Sequence, residues 1–246
     1  MTNKKTPYIT LMTENTPMRY FHIICVIYAT IMVSSNYLNL RLIPMQMPFM
    51  PNNFPIGGGV FIFPLVFILQ DIVTEVYGYA RSRQMMWIGI ISMMSSVIYS
   101  SFIVTRSTLP EWHQNYNAFY SVFNGLPRHT FGDAIGLICG TIMNDYILSR
   151  SKLKLNGNFF GARIISSTIA GELSYQIVAY AIAWGGQLSA ISSILPFFIF
   201  AFLYKLSFNV ITLPFMYLVT YLLKKYEHMD IYDTKTNFNP FKFSIG

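Results

Sequence analysis

Apolar residues in this chain come in runs of about the length that crosses a bilayer as a helix, roughly 20 residues. They are separated by short segments rich in proline and basic side chains. Six such runs are predicted as helices: residues 19–39, 57–78, 85–105, 129–149, 162–184 and 198–224. The last apolar stretch starts earlier, near Leu188. At about 1.5 Å per residue, a helix from Leu188 to Leu223 would exceed the bilayer, so Pro196 is expected to separate a short interfacial turn from the sixth helix. The predicted fold class is an all-α polytopic membrane protein. Its divisions are an N-terminal tail (1–18), a six-helix transmembrane domain (19–225) and a C-terminal tail (226–246).

Composition supports lipid as the solvent. The chain is 53% hydrophobic and only 11% charged, with a mean hydropathy of +0.43, too few charges to clothe a soluble globule of this size. The net charge of +7 forms no dense stripe, so no nucleic-acid partner is expected. It sorts instead by loop. Lys4, Lys5, Arg19, Arg81, Arg83, Arg150, Lys152, Lys154, Arg163, Lys224, Lys225, Lys235 and Lys242 fall at one end of the six spans, and only Arg41, Arg106 and Arg128 at the other. That asymmetry places both termini in the cytoplasm and the protein in an inner membrane. No small-residue cleavage site follows Phe21–Val33, so the first run is expected to be a retained helix. The proline-rich segment 41–56 and the aromatic segment 106–127 are expected to cap the external face at headgroup level.

Polar residues inside the runs carry the candidate chemistry, because an ionised side chain in hydrocarbon needs a partner or a wet cavity. Asp71 and Glu75 share a face of the second span with Thr74. They read either as a substrate or proton site or as a structural ion pair with Arg81 and Arg83. The fifth span has a stripe of Thr168, Glu172, Tyr175 and Gln176, with Gly171 allowing close approach of a neighbour. The sixth answers with Lys205, Asn209 and Thr212, so a Glu172–Lys205 contact is expected, either lining a site or pinning two helices. Ser34, Ser35 and Asn36 end the first span with groups that need partners. The fourth begins with Arg128 and Asp133 and ends near Asn144 and Asp145. Arg128 reads as an external gate or a snorkelling helix end, and Asp145 as interfacial and structural.

Other motifs carry less. Gly57-Gly58-Gly59 lacks the Lys-Ser/Thr of a phosphate loop and reads as a helix entry. His22, His113, His129 and His228 have no ligand spacing, so neither a metal nor a cofactor is expected. Cys25 and Cys139 read as small buried hydrophobes without a disulfide.

The stretch from Phe63 through Asp71 and Glu75 to Gly78, followed by Arg81, Arg83 and Trp87-Ile88-Gly89, resembles the queuosine precursor transporters, also called vitamin uptake transporters. Ser35-Asn36, the run 149–152, Ser167 to Gly171, Lys205 and Pro214 fall in the family's order, so the resemblance spans about residues 20–225. Two departures touch the interior. The family's Gly-Gln-Leu-x-Asp-Thr reads Gly171-Glu172-Leu173-Ser174-Tyr175-Gln176, and Asn144 stands where an aspartate is usual while Asp133 replaces a small or hydroxyl residue.

The resemblance implies an architecture similar to the small substrate-binding membrane subunits of vitamin importers, without enzymatic activity. It also implies import of a 7-deazaguanine base: preQ0, preQ1 or queuine. Asp71, Glu75 and Glu172 would read the base, Lys205, Asn36 and Asn209 would position it, and Phe63, Tyr77 or Tyr175 would stack on it. The chain has no nucleotide-binding loop, so movement would be driven by the substrate gradient, a proton or an energising partner module, with a homodimer also open. The alternatives are a transporter of another vitamin or nucleobase, an intramembrane enzyme using Asp71 and Glu75, and a scaffold whose polar stripes only pack helices.

Overall fold

A computed structural model describes residues 18–45, 54–185, 191–234 and 236–242. The helices are α1 (Phe21–Leu38), α2 (Pro64–Tyr77, entered through a 3-10 turn at Gly58–Phe61), α3 (Tyr79–Val104), α4 (His113–Phe123), α5 (Leu126–Lys154), α6 (Phe160–Trp184) and α7 (Ile191–Glu227). Six of them overlie the six predicted spans, and α4 is a short helix within the predicted aromatic cap. Among the described residues, α1, Gly58–Tyr77, α3 and Leu195–Glu227 are long and apolar enough to cross a membrane. The polarity is inverted relative to a soluble protein. Ile23, Val26, Ile98, Tyr99, Ile211 and Leu218 face outward, whereas Gln70, Asp71, Glu75, Asn144, Asp145 and Gln176 are buried. The bundle therefore offers lipid an apolar jacket and keeps a polar interior.

Two expectations are corrected. Pro196 does not end a turn, because α7 runs unbroken for 37 residues with Pro196 and Pro214 inside it. At about 1.5 Å per residue it outruns a hydrocarbon core of about 30 Å. Excess length is absorbed by tilt or by protrusion, and a proline in a membrane helix is tolerated where neighbours satisfy the freed carbonyl. The chain is also not wholly helical, because the segment 41–56 holds two short strands. Strands β1 (Leu42–Met45) and β2 (Phe54–Gly57) pair antiparallel, Leu42 opposite Gly57 and Met45 opposite Phe54, an exception to the all-α reading. The rest of that segment lies outside the described residues.

The closest helix pair is α5 with α6. Gly132, Gly136 and Gly140 recur every four residues on α5, the small-xxx-small spacing that lets membrane helices approach. A Cβ on Gly140 would lie 2.7 Å from Tyr175 Cβ and 2.9 Å from the Gly171 carbonyl, and one on Gly171 would lie 2.7 Å from Asn144 Cβ. Gly140→Ala should therefore cost about 1–3 kcal/mol, the usual range for overpacking. The thermal midpoint of the purified protein would show it, and an unchanged midpoint would refute the contact.

At the other end of the bundle, the segment after α7 is docked and not a free tail. Met229 and Ile231 are buried. Ile231 N–H donates to the Val76 carbonyl at 3.2 Å, and Asp233 accepts from Tyr79 N–H at 3.1 Å, supplying an acceptor to the open N-terminus of α3. Between α2 and α3, Gly78 turns the chain at φ +78°, and a Cβ there would strike Ile231. Glu227 accepts from Tyr20 N–H at 2.8 Å and Tyr77 O–H at 3.1 Å, placing a carboxylate at the start of α1.

Candidate functional site

A cavity of about 550 Å³ opens between α1, the turn that enters α2, α4, α5, α6 and α7, on the side where α1 ends and α5 begins. That volume falls within the range of small-molecule sites, about 300–1,000 Å³. Its polar wall includes Asn36, Asp133 and Lys205, and its aromatic wall Phe63 and Tyr175. Phe63 and Tyr175 stack at 5.2 Å with ring planes 27° apart. Lys205 Nζ lies 4.6 Å and 4.4 Å from their respective ring centroids, the cation–π distance range, and donates to Glu172 Oε2 at 2.8 Å. The expected Glu172–Lys205 contact is present, as a buried pair beside the cavity. Asp133 accepts from Tyr175 O–H at 2.8 Å. Asn36 exchanges hydrogen bonds with Thr130 at 2.9 and 3.1 Å, which fixes its amide at the wall.

The remaining sequence candidates are deeper or elsewhere. Asp71, fully buried, accepts from Asn144 Nδ2 at 2.6 Å and from Thr168 O–H at 3.5 Å. Asn209 donates to Thr168 Oγ1 at 3.1 Å. Glu75 sits at the far end of α2 in an ionic cluster. Arg163 grips it with two nitrogens at 2.8 and 3.2 Å, Lys224 stands at 2.7 Å and Lys152 at 3.7 Å. Asp230 joins the two lysines at 2.7 and 2.8 Å. The expected partners Arg81 and Arg83 are engaged elsewhere: Arg81 donates to Gln84, and Arg83 to the carbonyls of Asn237 and Asn239. Arg128 donates to the carbonyls of Ile182 and Gly185 at 3.2 and 2.5 Å, closing the last turn of α6. It is exposed and holds two helix ends together.

Asp145 lies inside the bundle and not on its surface. It is fully buried and accepts from Thr74 O–H at 3.0 Å and from Gln70 and Asn144 amides at 3.4 Å. Among the described residues neither it nor Asp71 has a cation within ion-pair reach. Asp133 is the cavity carboxylate that sequence reasoning notes at the start of the fourth run but gives no role in a site. Its signal is an acid one turn inside the fourth run, on the same helix face as the recurring glycines.

Comparison with known proteins bears on what such a cavity serves. A "Probable queuosine precursor transporter" of Bacillus subtilis (strain 168) is 23% identical over 161 residues, covering 65% of this chain and 69% of the relative. No solved structure matches. The family described as "Putative vitamin uptake transporter" matches residues 57–219, which hold α2 to α6 and most of α7. The chain belongs to that family of multi-pass membrane transporters, which is not a family of enzymes.

Proposed function

We propose that this protein imports a 7-deazaguanine precursor of queuosine, such as preQ0, preQ1 or queuine, across an inner membrane, with both termini in the cytoplasm. The observation that carries the reading is the cavity wall, where two stacked aromatic rings adjoin one carboxylate and one buried ion pair. A flat heterocycle extends the Phe63–Tyr175 stack. Asp133 accepts the adjacent N–H donors of a guanine-like edge, a charge-assisted arrangement, while Lys205 and Asn36 hold its position. The base-reading role thus passes from Asp71 and Glu75, which lie off the cavity, to Asp133. The Bacillus relative's name supports the substrate class, and the basic loops support the orientation.

The test is a bacterium unable to make queuosine and lacking its own importer, expressing this chain and fed nanomolar base, with queuosine scored in tRNA. Wild type should restore it, and Asp133→Asn at equal membrane abundance should lower uptake about tenfold or more, as loss of a charged hydrogen-bond acceptor does. Unlabelled purines and vitamins should compete poorly. No restoration with any of the three bases, from folded protein, would sink the substrate assignment.

A further inference from the structure

Below the cavity the interior continues as polar layers. Lys205 and Glu172 form the first. One turn further along α7 and α6, Asn209 meets Thr168 at 3.1 Å, and Thr168 reaches Asp71 at 3.5 Å. One turn beyond Asp71 on α2 is Glu75, whose partners Lys224 and Asp230 are 20% and 17% exposed at the far end. Titratable groups therefore run from the cavity to the opposite face at intervals of about one helical turn.

Asp71 is the layer that lacks a counter-ion among the described residues. Facing it are Asn144 and Asp145 from α5, Thr168 from α6 and Asn209 from α7. On α2 itself Glu75 is neutralised by Arg163, Lys224 and Lys152. Toward α1 and α3, Gln70 takes a hydrogen bond from Tyr28 O–H and gives one to Ser82. The Asn144 amide nitrogen spans both carboxylates, at 2.6 Å from Asp71 and 3.4 Å from Asp145. Two buried carboxylates so close and without a cation do not both stay ionised. Asp145 has the fuller set of donors. The side-chain oxygens of Asn144 and Asn209, both buried, find no donor, and such orphaned acceptors call for a hydrogen that the structure does not otherwise supply.

We propose that Asp71 is a proton-carrying site: a hydronium in the cavity gives its proton to the Asp71 carboxylate as base enters, and the proton passes to water at the Glu75 end, while Asp145 stays ionised. On loading, a hydronium O–H bond breaks as the Asp71 O–H bond forms; on release the Asp71 O–H bond breaks as a hydronium forms at the far side. Coupling to the base rests on the transport reading above; the proton site itself does not.

Purified full-length protein in lipid vesicles, followed by pH-difference infrared spectroscopy, tests the site without any substrate. A protonated-carboxyl C=O band that vanishes on raising the pH is expected in wild type, absent in Asp71→Asn and restored at a shifted frequency in Asp71→Glu. No titrating band in wild type, or an unchanged band in both variants, would overturn the proposal. In the same vesicles, an outside-acid gradient should speed preQ1 accumulation severalfold, and equal rates with and without the gradient would overturn the coupling. If preQ1 does not accumulate at all, the substrate reading fails, while the infrared band still decides whether Asp71 holds a proton.

Discussion

Glu75→Gln is expected to destabilise the fold by about 3–5 kcal/mol, the range seen when one partner of a buried ion pair is removed. Arg163 is 1% exposed and Lys152 3%. Glutamine leaves Asp230 as their cluster's remaining carboxylate among the described residues, at 2.7 Å from Lys152 and out of ion-pair range of Arg163. Lys224, 20% exposed, can turn toward water, which puts the loss nearer the lower bound. The thermal midpoint of detergent-purified protein and its folded yield from membranes report it. Equal midpoints for Glu75→Gln and wild type would mean the cluster is solvated and contributes nothing. Because Glu75 lies off the cavity, any uptake that survives in folded protein should show an unchanged KM.

Breaking the Lys205–Glu172 pair should produce a comparable loss with a different pattern. Lys205→Met strands Glu172, and Glu172→Leu strands Lys205. Both side chains are at most 5% exposed, so each single change should cost about 3–5 kcal/mol. The double change removes both charges and should recover most of that stability, since apolar replacements of a buried pair are often neutral or better. Uptake should not recover with it, because the cavity loses the cation held over Phe63 and Tyr175. Recovery of both would reduce the pair to a pin between α6 and α7, and the scaffold reading would gain.

What is legible in the sequence follows from lipid's demands. A bilayer admits long apolar helices, so the six helices α1, α2, α3, α5, α6 and α7 can be read from run length, and the apolar face of each needs no partner to be found. Glu172 and Lys205 can be matched because each lies in a polar stripe near the middle of its span. The ionic partners of Glu75 are misread by proximity: Arg81 and Arg83 are near in sequence, whereas Arg163 is 88 residues away and no local pattern joins them. The burial of Asp145 is not legible because its donors Thr74 and Gln70 come from α2. The β1–β2 ribbon is hidden by proline, which the edges of a two-stranded ribbon tolerate. Pro196 reads as a stop, although a membrane helix can carry one. The glycines spaced by four on α5 are in plain view, and only the partner helix gives them meaning.

The docking of residues 227–233 sets an order on biosynthesis. Glu227 meets the start of α1, Asp233 meets the start of α3, and Asp230 enters the ionic cluster that holds α2, α5, α6 and α7 together. During synthesis α1 to α6 are made before any of these groups exists. Until residue 227 has been made α1 lacks its carboxylate, and until residue 230 has been made the cluster's cations have Glu75 as their carboxylate partner among the described residues. The end of the bundle that residues 227–233 tie together is therefore the last part of the fold that can be completed.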